Sequence, residues 1–260
     1  MKHQFISFKN TITKKGLITG FSLAEVLITL GIIGVVTALT LPTLYSRVQE
    51  KIFLNKLKVT YNILSNAYRL AIEENNGDAG SWEIGRYNSE DGASKMYNYF
   101  APHIKQLDSC DTQKGKKCFA ACYYDLFGER CVNNDENIDF TSTWGKGILL
   151  NGIALAFYSA GNRCLAYDQV LQYSECGTVI VDLNGQKQPN RFGVDTFEFV
   201  ITAEKGIQPK YGDDTFTYGA KCKYNDKSGN NGRTCTWYAL KYNSMDYLRK
   251  DISKAYIKNK

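Results

Sequence analysis

The chain has 260 residues, enough for one sizeable domain with an appendage. Hydrophobic residues make up 43% and charged residues 22%, a balance that excludes a wholly disordered chain. The net charge of +6 is uneven: Lys2, Lys9, Lys14 and Lys15 stand in residues 1–20 without an acid, and the other 28 basic and 26 acidic residues nearly cancel, which argues against a nucleic-acid binder.

The first predicted element is the stretch "GFSLAEVLITLGIIGVVTALTLP", Gly20 to Pro42. As a helix, Phe21–Leu41 would be about 31 Å long, enough to cross a bilayer core. The lysines before it predict a cytoplasmic N-terminus and a head outside the cytoplasm. A secretory signal would have a shorter apolar region followed by a small-residue cleavage site. Here the small residue, Gly20, precedes the apolar run. A plain anchor explains the length but not Glu25, since an ionisable group at the centre of a span costs roughly 2.5–3.5 kcal/mol. Cleavage between Gly20 and Phe21 would create an α-amine near the start of the helix. The carboxylate of Glu25 could pair with that amine or with a neighbouring subunit's.

These residues resemble the cleavage and methylation signal of type IV prepilins and type II secretion pseudopilins. Gly20, Phe21, Glu25 and Pro42 stand where that family's pattern puts them. The resemblance implies cleavage of a leader, residues 1–20, by a membrane prepilin peptidase and N-methylation of Phe21. It implies that Glu25 directs docking of subunits in a filament. The leader is longer than in many pilins, which leaves the subfamily open.

Residues 21–42 are then the membrane half of a long helix and residues 43–77 an amphipathic half. In the latter Val48, Ile52, Leu57, Tyr61, Leu64, Tyr68 and Ala71 recur at three- to five-residue steps, read as the face that meets the head. Pro42 predicts a kink, because it removes a backbone hydrogen bond. Residues 78–260 form the head. In 78–140 the periodicity is poor, and loops with short helices pinned by disulfides are expected.

From residue 146 the pattern turns to strands. "KGILLNGIALAFYS" sets two apolar runs around Asn151-Gly152, a hairpin signal. Val179 and Val181 alternate with Ile180 and Asp182, and Phe197 and Phe199 with Glu198 and Val200. These four strands predict an antiparallel sheet with one face laid on the amphipathic helix, hence an α+β, pilin-like fold. The loop between the last two carries Asp182, Asn184, Asn190 and Asp195. This oxygen set is compatible with calcium. The acid expected at the twelfth position of an EF-hand loop is absent, and a hydrogen-bonded turn built on Asn, Gly and Pro is the preferred reading. The loop is similar to a "DxNGxxxPNxxGxDxF" pattern of pseudopilin-like heads, which bears on fold rather than on a ligand.

Cys110, Cys118, Cys122, Cys131, Cys164, Cys176, Cys222 and Cys235 all follow residue 100. Even in number and dispersed, they predict disulfides in an oxidising compartment. Zinc is the rival, but Cys118 and Cys122 are the lone closely spaced pair, and His3 and His103 are the sole histidines. Pairing of Cys222 with Cys235 and of Cys164 with Cys176 would close short loops; spacing alone leaves the connectivity open. The last residues, rich in lysine, read as a surface helix or a frayed end.

No GxSxG or P-loop pattern occurs, and His103 has no evident catalytic partner, so an enzyme is not expected. The expectation is a structural filament subunit without a cofactor. It would start in the cytoplasmic membrane and end in a filament in the periplasm or at the cell surface. The implied partners are prepilin peptidase, other pilin-like subunits, the assembly platform and, before assembly, membrane lipid. The alternative is a minor tip subunit whose head binds a surface, a sugar or DNA; an exposed basic or aromatic patch would favour it.

Overall fold

A computed structural model describes residues 20–75, 77–85, 89–110, 118–120, 122–129, 131, 145–164, 173–211 and 221–257. The leader lysines and much of 111–144 lie outside these residues. The chain divides into two units, Met1–Arg47 and Val48–Lys260.

Helix α1 runs from Leu23 to Glu74 and holds Pro42 within it. Proline removes one backbone donor, yet the helical assignment continues through it. In the first unit the side chains of this helix are exposed: Leu23, Leu27, Ile28, Leu30, Ile32 and Ile33 all face outward. An 18-residue window of α1 has mean hydropathy 2.1 and none of it is buried. By length and composition α1 is able to cross a membrane.

In the second unit the same helix is amphipathic. Phe53, Leu54, Leu57, Thr60, Leu64, Ala67 and Ala71 are its buried residues. Val48 and Ile52 are exposed, which corrects the face expected from sequence. The five-residue step from Ile52 to Leu57 turns the helix by about 140°, so the two residues cannot share a face. Tyr61 stacks on Phe199 with ring centres 5.8 Å apart, the hydroxyl of Tyr68 donates to Thr202 O at 2.9 Å, and Lys56 Nζ donates to Leu183 O at 2.8 Å.

The sheet these groups meet has six antiparallel strands in sequence order. They are β1 (Gln106–Ser109), β2 (Gly145–Leu149), β3 (Ala154–Ser159), β4 (Glu175–Asp182), β5 (Thr196–Thr202) and β6 (Gly206–Pro209). The β2–β3 connection turns at Gly152, whose φ of 80° suits glycine, as the Asn151-Gly152 pair predicts. Helix α2 (Glu90–Phe100) is capped by Ser89, whose hydroxyl accepts from Gly92 N at 3.0 Å. It lies so close to β2 that a methyl at Gly145 would sit 2.5 Å from Ala93 O and from Tyr97 Cβ.

The sheet is covered on both faces. One carries Phe157, Val179, Phe197, Phe199 and Ile201, packed in one core with Leu57 and Leu64 of α1. On the other, Ala154, Ala156 and Ile180 meet Phe119, Tyr123 and Phe192. This second layer explains why every residue of β5 is buried. It also houses charge: Lys210 Nζ and Arg233 Nη1 each lie 3.4 Å from a carboxylate oxygen of the buried Glu198. Removing one member would strand the others in low dielectric.

The described part of the tail ends in a short helix, one of the two forms expected from sequence. Helix α3 (Cys235–Tyr242) and α4 (Ser253–Ile257) flank buried Met245, Tyr247 and Ile252. The hydroxyl of Tyr247 donates to Gly193 O at 2.8 Å, and Arg249 pairs with Glu50 of α1 at 2.5 Å.

Leu57 is fully buried where α1 meets the sheet. Leu57→Ala should cost about 2–5 kcal/mol through lost burial and the cavity left behind. Urea unfolding of the full chain in detergent measures it, and a loss under about 1 kcal/mol would mean that α1 does not close this core.

Candidate functional site

The segment singled out by sequence begins just outside the helix. Residues 20–22 precede the helix, and nothing lies within 4 Å of a side chain built at Gly20. Phe21 is 86% exposed. The Gly20–Phe21 peptide is therefore open to an approaching enzyme.

Ser22 and Glu25 form a reciprocal cap. Glu25 Oε2 accepts from Ser22 N at 2.8 Å and from Ser22 Oγ at 2.9 Å, while Glu25 N donates to Ser22 Oγ at 3.3 Å. This is the capping box that a Ser-x-x-Glu sequence encodes, and it fixes where the helix starts. The pattern "SLAE" stands in the chain, but an acid inside an apolar run reads first as a membrane charge. Glu25 thus has a local partner, and both bonds from Ser22 end on one carboxylate oxygen, Oε2.

The β4–β5 loop brings Asp182, Asn184, Asn190 and Asp195 together. Asp182 Oδ2 accepts from the hydroxyl of Tyr123 at 2.5 Å, and its Oδ1 accepts from Asn184 N at 3.1 Å. Asp195 accepts from Asn190 N at 2.8 Å and Arg191 N at 2.7 Å. These bonds are those of a closed Asx-type turn. Burial pushes the Asp182 carboxyl up to about 7; the Tyr123 bond opposes this and the charge of Asp195 adds to it. Burial likewise raises Asp195, against the backbone bonds from Arg191 and Asn190. Tyr123 itself escaped the sequence reading, because nothing local marks one tyrosine among 18.

The eight cysteines pair as Cys110–Cys118, Cys122–Cys131, Cys164–Cys176 and Cys222–Cys235, with none free. The two short-loop pairings expected from sequence are among them. Alkylation of the unreduced, exported protein should label no thiol, and the protein should carry no stoichiometric zinc. Mostly free thiols together with one zinc per chain would reverse this reading. The side chain of His103 is largely covered, with Nε2 3.4 Å from a carboxylate oxygen of Glu74. Among the described residues no group of three or more His, Cys, Asp or Glu is placed to hold a metal.

No protein-family model, curated protein or solved structure compared with the chain matches it. What fold and site define is a class: an α+β protein with one long apolar N-terminal helix, a possible membrane anchor, and a disulfide-closed antiparallel head.

Proposed function

We propose that the chain is a structural subunit of a pilus-like or pseudopilus filament, cut between Gly20 and Phe21, methylated at Phe21 and assembled through its apolar helix. One observation carries this reading: an exposed Gly20–Phe21 peptide directly before a capped helix whose apolar side chains up to Leu44 are all unburied. Apolar surface on this scale needs a partner in water. Lipid covers it before assembly, and the helices of other subunits cover it afterwards.

The carboxylate of Glu25 supplies register. With Oε2 held by Ser22, Oε1 is left to meet the α-amine of an adjacent subunit. In an apolar layer each charge alone is unfavourable, and bringing them together relieves both. No residue of the head is assigned catalysis. The tip-binding alternative would look to aromatic side chains of the head such as half-buried Trp237 and exposed Tyr242. Trp237 and Tyr242 lie edge to face, and Lys241 Nζ covers both rings, at 4.6 and 5.7 Å from their centres.

The test is expression with a prepilin peptidase and an assembly machinery, followed by shearing. The subunit should appear in the sheared filament fraction. Its confinement to the membrane fraction, after proven cleavage, would leave it an anchored protein of another kind.

A further inference from the structure

The near-cancellation of charge after residue 20 hides a division. Residues 221–260 hold 10 basic and 3 acidic residues, whereas residues 21–220 hold 18 basic and 23 acidic. A basic end of this kind points to an acidic partner or surface.

The acids near this end are already taken. Arg249 pairs with Glu50 of α1 at 2.5 Å and with Asp246 at 3.3 Å, and Lys250 pairs with Asp246 at 2.8 Å. Asp251 accepts from Ser253 N at 2.8 Å and from Ser253 Oγ at 3.0 Å. These bonds hold its carboxyl below the usual range, and the charges of Lys254 and Lys223 add to the effect. Lys51, Lys223 and Lys254 are exposed, and none makes an ion pair among the described residues. Beside the tail, Tyr242 is 43% exposed and packs on Tyr238 with ring centres 4.7 Å apart, and Tyr238 meets Tyr247 edge to face. Lysine and tyrosine together are the residues of a membrane–water interface.

The chain itself limits what this face can meet. Glu50, to which the tail is tied, follows Leu41 at the end of the apolar run by nine residues, about 14 Å of helix. The head-group layer extends roughly 5–7 Å beyond the hydrocarbon core. The gap left is about one Debye length at physiological salt, about 8 Å. A lysine stem can reach across much of it. A soluble polyanion has no such tether.

We propose that the face made by Lys51, Lys223, Lys254 and Tyr242 rests on anionic phospholipid head groups and holds the head at the membrane until the subunit is drawn into a filament. This rests on α1 being the membrane anchor of the reading above. Ammonium groups on flexible stems suit phosphate oxygens, and a tyrosine at head-group depth keeps its hydroxyl in water. The apolar helix is indifferent to lipid charge, whereas this face is not. Its release is then a step that assembly must make.

The experiment reconstitutes the full chain in nanodiscs of phosphatidylcholine, with or without phosphatidylglycerol, and reads lysine acylation by mass spectrometry. Lys205 is the internal reference. It lies at the β5–β6 turn, where Tyr68, eighteen residues beyond Glu50 on α1, donates to Thr202 O. Relative to Lys205, Lys223 and Lys254 should react about fivefold more slowly in anionic than in neutral discs, the factor expected for one lysine at an anionic surface. The difference should vanish in about 1 M salt, where the Debye length is about 3 Å. A Lys51→Gln, Lys254→Gln double variant removes two exposed, unpaired charges and should keep the far-UV spectrum. In it Lys223 should return to within about twofold of its neutral-disc rate. Equal rates in both lipids, with the chain proven to be in the discs, would overturn the proposal and leave the anchor standing. Slowing in neutral discs as well, or only when two chains share a disc, would give the face to lipid of any kind or to a second copy and would also overturn it. A chain that enters neither kind of disc would overturn the anchor reading and this proposal with it.

Discussion

Glu25→Leu subunits should insert into the membrane as well as wild type or better, fold their heads, be cleaved, and yet be missing from sheared filaments. Insertion improves because a carboxylate leaves the apolar run. Assembly fails because the neighbour's amine would enter an apolar layer without a counter-charge, and breaking a desolvated pair by removing one partner costs several kcal/mol. The Ser22–Glu25 cap offers a second explanation for the same loss, since leucine cannot accept from Ser22 N. Glu25→Gln separates the two. Glutamine serves in a capping box, so the helix start is kept, but the charge is gone. If docking depends on the pair, Glu25→Gln drops from the filament fraction about as completely as Glu25→Leu. If Glu25→Gln assembles normally while Glu25→Leu does not, the glutamate is a helix cap and the docking role fails.

Gly20→Val should abolish leader release. The Gly20–Phe21 peptide is exposed and lies outside the helix, and a glycine there leaves the approach open. A β-branched side chain adds bulk beside the bond to be cut and restricts its backbone. The uncut chain should accumulate in the membrane with its leader, and no filament should form. Anti-head immunoblots of membrane and sheared fractions read this out. Cleavage of Gly20→Val at the wild-type rate would move the processing site elsewhere.

How far the sequence reached depended on how local the cause was. The β2–β3 hairpin was legible because Asn151-Gly152 supplies the turn by itself, and β4 and β5 because alternation repeats along each strand. Strand β1, in Gln106–Ser109, has no such pattern; it is a strand because β2 pairs with it. In the tail, α4 (Ser253–Ile257) is the surface helix that was one of the two expected forms. What the sequence does not show is the burial of Met245, Tyr247 and Ile252, which comes from elements distant in sequence. On α1 the drift between Ile52 and Leu57 hid which face is buried. At the N-terminal segment the structure adds the Ser22–Glu25 cap, which the pattern "SLAE" signals locally but the acid in an apolar run obscures. Tyr123 is the opposite case. Its bond to Asp182 joins residues 59 apart, and no local pattern encodes that.

The most direct test is an intact-mass measurement on the wild-type chain isolated after co-expression with an active prepilin peptidase. The isolated chain should begin at Phe21, lighter by residues 1–20 and heavier by one methyl group on the new amine. A chain that still begins at Met1, with the peptidase shown to be active on a known substrate, would contradict this.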